Sequence, residues 1–400
     1  MRVASTTAAV AVVVSAGAGF ALGLSRPEPP VGVPTGAFVS WLEGSVEGAV
    51  EQVSAAMADH QLRRRGVSVL GSNASLTGVP FESLRLRLAE SSRLRAADAS
   101  RGVFTAQALL EYQLEVDDVR VGRRADAVFR LRDGRWRLVR VAPSGLDLWD
   151  HEAVQSIRDG RVLVLGADGD LRLPALAATA EAARSDVDEF WAARWPGTAV
   201  VVLPSAADLL NPLLGMRTSG EDQVAVTRWE TGRDGPVIRV VVNPAYYDQM
   251  SPLAREIVLR HEITHVAQDA LPRSGVPTWL TEGLAEYVGY RGSGVPQTLI
   301  GAQLFAQVRA GDTPRALPAD AAFGFARSQN GRRVAYEAGW TFHQMLAERY
   351  GEDTLVPFYA EVARANGPTA ERLDHAAEEV FGTSFGDLER AWRSWLEDNA

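Results

Sequence analysis

The sequence predicts an α+β fold in two parts. A small α+β domain spans 36–145, and a larger one spans 150–400, where a mostly antiparallel sheet precedes a helical carboxyl-terminal part. Three observations carry this. Leu110, Tyr112, Leu114 and Val116 alternate with polar neighbours, as half-buried strands do. Short runs at 162–165, 199–203, 224–228 and 237–242, rich in Val, are the length of strands. From 252 onward, apolar residues recur at helical spacing with few breaks. A chain of 400 residues with 46% hydrophobic content can fill a core in each part.

An uncharged stretch of 23 residues runs between Arg2 and Arg26. It is long enough to cross a bilayer, and it has the layout of an export signal with Ala16-Gly17-Ala18 as a cleavage site. Either reading makes 1–30 a signal peptide or an amino-terminal membrane anchor. The remainder is then extracytoplasmic, secreted or held at the membrane by one helix.

Next, Phe38, Leu42, Val46, Ala49, Val53 and Met57 keep helical spacing, which ends at the basic run 63–65 before Gly66. Beyond the strand that holds Tyr112, Phe129 and Leu131 lead to a turn at Asp133-Gly134, with Trp136 and Leu138 after it, as in a hairpin. A helix followed by such a sheet resembles the cone-shaped nuclear-transport-factor-like and cystatin-like folds. The resemblance rests on element order and on the phrase FRLRDGRWRLV, and it carries no catalytic residue across. Arg130, Arg132, Arg135, Arg137 and Arg140 read as a solvated strand face.

The boundary falls around 142–154, and His151 there lacks a partner at metal spacing. A helix over 174–194 separates the first two strands of the second domain. Then comes SPLAREIVLRHEITHVAQDALP. Ser251 suits an N-cap, Pro252 a first helical position, and Leu271-Pro272 a stop, which gives a helix of about twenty residues. On it His261 and His265 are four apart and share a face. Two imidazoles at that spacing can hold one zinc ion, with Glu262 beside the metal as a general base.

Catalytic zinc usually keeps three protein ligands. The following PTWLTEGLAEYVGYRG predicts a helix over 278–290, with Leu280, Leu284, Tyr287 and Val288 on its buried stripe and two candidate carboxylates, Glu282 and Glu286. HEITH with this second phrase resembles the gluzincin zinc metallopeptidases, thermolysin-like and aminopeptidase-like, and most closely their peptidase-MA-like subgroup. The resemblance implies Glu282 as third ligand and Glu286 as an outer carboxylate that orients the first histidine. A third phrase, RRVAYEAGWTFHQMLAERYG, is similar to the aminopeptidase Tyr-Glu-x-Gly step, which implies that Tyr336 stabilises an oxyanion. Glu337 reads as a solvated or structural carboxylate rather than a ligand. In that superfamily an edge strand pairs with substrate backbone, and 224–228 and 237–243 are the candidates. The Gly-x-Met-Glu-Asn phrase that anchors a free amino terminus in aminopeptidases is absent, which favours internal cleavage or a different anchor.

The remaining helices are expected at 298–310, 332–349, 353–365, 369–380 and 385–397, with His343 and His375 as packing or surface residues and 311–330 as a long loop beside the cleft. A net charge of −9 leaves no cationic excess for nucleic acid. No cysteine is present, so disulfides, thiolate ligands and thiol nucleophiles are excluded. All 41 basic residues are arginine, which carries no functional reading. The expected function is an exported or membrane-anchored zinc metallopeptidase acting on peptide or protein. The alternative is a binding or scaffold protein whose peptidase-like domain holds zinc without turnover.

Overall fold

A computed structural model describes residues 68–69, 78–88, 101–132, 135–142, 145–192, 194–215, 224–231, 235–271, 275–324 and 328–400. The expected apolar segment at 1–30, the helix over 38–57 and the turn at Asp133-Gly134 lie outside them. Among the described residues no helix is long and apolar enough to cross a membrane.

The first sheet contains β1 (Ser68–Val69), β2 (Phe81–Leu88), β3 (Val103–Leu114), β4 (Val121–Arg132) and β5 (Arg135–Ala142), in the order β1-β5-β4-β3-β2. Its long strands pair antiparallel, and β1 joins β5 in parallel. Leu110, Tyr112, Leu114, Phe129, Trp136 and Leu138 are all buried, as the alternation predicts, while Arg130 and Arg140 are exposed.

The second sheet contains β6 (Val154–Asp159), β7 (Val162–Ala167), β8 (Ala199–Leu203), β9 (Ala225–Thr231) and β10 (Pro236–Val242), in the order β6-β7-β8-β10-β9. It is mixed rather than mostly antiparallel, since β7-β8 and β8-β10 run parallel while β6-β7 and β10-β9 are antiparallel. The cause is the helix α1 (Leu173–Trp191), which carries the chain back along the sheet between β7 and β8, a crossover that returns a strand in parallel. Between the two candidate edge strands the structure decides clearly. β10 is interior, flanked by β8 and β9, and β9 is the edge.

Alternation in this second sheet serves two cores. Val162, Val164, Val201, Leu203, Val240 and Val242 face a helical layer. Leu163, Leu165, Val200, Val202, Val237 and Val241 face the first sheet and share a core with Phe104, Tyr112 and Phe129. The molecule is thus layered sheet, sheet, helices, and the two sequence parts meet over a continuous apolar interface. Within that interface Asp147 accepts from Arg123 (2.9 and 3.0 Å) and from the Tyr112 hydroxyl (2.8 Å), while Arg239 of β10 reaches Asp117 at 2.7 and 2.5 Å. Burial pushes the Asp147 carboxyl up, but Arg123 outweighs it and holds the group below the usual carboxylate range.

The helical layer holds α2 (Pro252–Gln268), α3 (Thr278–Tyr290), α4 (Ala302–Arg309), α5 (Gln329–Tyr350), α6 (Leu355–Arg364), α7 (Thr369–Phe381) and α8 (Phe385–Asn399). Ser251 caps α2 by accepting from the amide of Ala254 at 3.2 Å, with Pro252 in the first turn.

Candidate metal centre

Three buried side chains from α2 and α3 converge. His261 Nε2 and His265 Nε2 are 3.1 Å apart, and Glu282 Oε2 lies 3.4 Å from the first and 3.3 Å from the second. Among the described residues this is the one group of three His, Cys, Asp or Glu placed to hold a metal ion. Helical geometry sets the two histidines on one face of α2. Two close approaches set the carboxylate. Gly289 of α3 lies over the Ile257 carbonyl and the His261 Cβ, where an added Cβ would be 3.1 and 3.4 Å away. At the crossing of α3 with α5, Gly283 meets Gly339, and a Cβ on Gly283 would stand 2.6 Å from the Gly339 carbonyl carbon. These are the glycines of the WLTEGLA and YEAG phrases, so the two phrases meet in space.

The donor set fits zinc. A tetrahedral ion with bonds of about 2.0–2.1 Å places its ligand atoms about 3.3 Å from one another, which is the spacing found. Both oxygens of Glu282 are buried without a hydrogen-bond partner, an arrangement that a cation relieves. Burial pushes His261 down to about 4, so its ring is neutral at neutral pH. For Glu282 burial acts upward, but the two imidazoles outweigh it and keep the carboxyl well below its usual range. A neutral His261 ring and an ionised Glu282 carboxylate are protonation states that metal ligation requires.

Around the trio, Gln268 holds His265 by bonding its Nδ1 at 2.8 Å, and Gln268 Nε2 donates to the Thr281 carbonyl on α3 at 2.8 Å. This fixes the ring and ties α2 to α3. Glu262, fully buried, accepts from the hydroxyl of Thr227 on β9 at 2.5 Å through Oε2, while its Oε1 has no partner. Burial pushes the Glu262 carboxyl up to about 7, against the opposing pull of His265 and the Thr227 hydrogen bond. A base poised there accepts a proton readily near neutral pH. Trp229, two residues along β9, meets the His265 ring edge-on with centroids 6.3 Å apart.

Glu286 does not complete the expected link to the first histidine, because His261 Nδ1 has no hydrogen-bond partner. The carboxyl of Glu286 lies instead in a field made by Glu282 and Glu337, and burial together with those two charges pushes it up to about 8. Tyr336 is buried on α5, with its ring edge-on to Phe323 at 5.2 Å. Glu337 is buried rather than solvated, accepting from the amide of Leu304 (2.7 Å) in the first turn of α4 and from Arg333 (2.9 Å). Within the stretch expected as a loop, the Asp320 carboxylate accepts from the first amide of α3, that of Thr278, at 2.8 Å. His343 is buried and bonds the Gly339 carbonyl through Nδ1, His375 is exposed, and His151 bonds the Gly145 carbonyl.

Sequence reasoning missed Thr227 and Gln268. Gln268 carried a signal, standing three residues after His265 on the same helix. Thr227 carried none, being 35 residues from Glu262. In comparisons with known proteins, no family model matches the chain and no curated protein matches it.

Proposed function

We propose that the chain is a zinc-dependent hydrolase of the gluzincin type, acting on peptide bonds. His261, His265 and Glu282 would hold the ion. When bound, zinc supplies Lewis-acid activation of a water and of a carbonyl. The protein's own part is positional and protic. Glu262, one residue from the first ligand and steered by Thr227, takes a proton from the attacking water and passes it to the leaving amine. Tyr336 is assigned to the oxyanion by the resemblance of its phrase. β9, an edge strand among the described residues, would offer backbone groups to an extended substrate, with Trp229 on the same strand. Export or anchoring rests on the uncharged stretch between Arg2 and Arg26.

The observation that carries this reading is the pairing of an open ligand count with a separate carboxylate. Three donors converge, where a structural zinc site takes four, and Glu262 stands apart from them with one oxygen unpartnered. The scaffold reading draws on one observation, that all four side chains are fully enclosed. It leaves the orphaned Glu262 oxygen unexplained. Glu262→Gln separates the two. It keeps the zinc content of the wild-type protein in both readings, and under the hydrolase reading it lowers turnover of a peptide library by about a hundredfold or more. Undiminished turnover in this variant would refute the mechanism.

A further inference from the structure

β9 presents different residues to each of its faces. Thr227 and Trp229 face the helices, where one bonds Glu262 and the other meets His265. Arg228, between them, faces the first sheet, opposite Arg239 in the β9-β10 register. Its Nη1 donates to the carbonyls of Leu146 and Leu213, and its Nη2 lies 3.6 Å from Asp147 Oδ1. Leu146 and Asp147 lie a few residues past β5, which ends at Ala142, and Asp147 is itself gripped by Arg123 of β4 and Tyr112 of β3. A continuous path therefore runs from the first sheet through Asp147, Arg228 and the β9 backbone to Thr227 and the Glu262 carboxylate.

An edge strand has a hydrogen-bonded neighbour on one side alone. Among the described residues β9 is laddered to β10 alone, so its far side is placed by side chains. Burying an arginine is costly, and an apolar residue of similar volume would hold two sheets together as well. A planar fork that spans two carbonyls and a carboxylate fixes a position, which an apolar contact does less sharply. The three residues proposed to hold zinc, in contrast, are carried by α2 and α3.

We propose that Arg228 is a positioning residue for Glu262, acting through β9 and Thr227, and that the first sheet is the anchor against which the base is set. The inference rests on the reading of Glu262 as general base. It assigns the amino-terminal module a role in setting the site and gives metal retention to the helices alone.

The test uses the full chain with Arg228→Met, Arg228→Lys, Thr227→Val and the Met/Val double variant. Hydrogen exchange of the 225–231 amides, measured without metal, is expected to quicken about tenfold or more in Arg228→Met, with β6-β7 amides unchanged. Zinc content should equal that of the wild type in every variant. With zinc bound, kcat should fall about tenfold in Arg228→Met and in Thr227→Val, and the double variant should be no slower than Thr227→Val, because both act on one path. Arg228→Lys, which keeps the charge and loses the fork, should fall between and guards against a folding defect in the methionine variant. Unchanged exchange in 225–231 overturns the proposal, and so do effects on kcat that multiply in the double variant. If Glu262→Gln turns over normally, the hydrolase reading fails, while the exchange comparison still decides whether Arg228 holds the strand.

Discussion

Gly283→Ala is the sharpest single perturbation of the site, although the residue ligates nothing. An added Cβ would stand 2.6 Å from the carbonyl carbon and oxygen of Gly339 and 2.7 Å from its Cα. These are backbone atoms of α5 and cannot swing aside, so α3 and α5 must separate by roughly 1 Å to restore ordinary contact. Glu282 is the preceding residue, and its oxygen sits 3.3 to 3.4 Å from the histidine nitrogens. A displacement of that size takes it out of tetrahedral reach. Overpacking of this kind costs about 1–3 kcal/mol, and loss of ligand placement lowers metal affinity roughly 10–100-fold. Calorimetry on the metal-free protein reads the first effect, and zinc competition against a calibrated chelator reads the second. If the variant matches the wild type in both, the crossing of α3 with α5 does not place Glu282 against the histidines.

Three further outcomes follow from the same geometry. Glu286→Gln should keep zinc while Glu282→Gln loses it, since the structure brings only Glu282 to the histidines; zinc content after identical dialysis checks this. His343 is fully buried and pushed down to about 4 by burial, against about 6.5 when unfolded, so below pH 6.5 the unfolded chain binds a proton that the folded chain refuses. That contribution is fully present above pH 6.5 and is lost as pH falls to about 4, on the order of 3 kcal/mol. In urea titrations His343→Gln should therefore flatten the decline in stability across that window. Zinc should raise Tm in a concentration-dependent way, by about 2.7 kcal/mol of stability at a hundredfold excess over Kd, and the rise should vanish in His265→Ala.

Much of the helical layer was legible because its signals are local. The helix over 278–290 is found at those residues, and the cap at Ser251 and the first turn at Pro252 appear as read. The HEITH helix ends at Gln268, short of the expected twenty residues, because Ala270 and Leu271 turn away through 3-10-type bonds to Ala267 and Gln268. β6 was missed. It is an edge strand whose residues after Val154 are half-buried or exposed, so VQSIRD carries little alternation. The insertion of β10 between β8 and β9 was not legible either, since sheet order is decided by tertiary packing and both strands read alike as apolar runs. At the site, His261, His265 and Glu282 were named from spacing and from the resemblance, and they do converge. The glycines that place Glu282 stood in the quoted phrases unread, because a close helix crossing has no signature until the partner helix is known. Thr227 and Arg228 belong to a strand that acquires its role only from the sheet edge and the module behind it.

The most direct test is the metal content and ligand set of the full chain, by elemental analysis and X-ray absorption, beside Glu282→Ala. The account predicts a single tightly held zinc with two nitrogen ligands and a carboxylate oxygen among its neighbours, and its loss from the variant. A chain that takes up no zinc, or a Glu282→Ala variant that holds it as firmly as the wild type, would contradict the proposed centre.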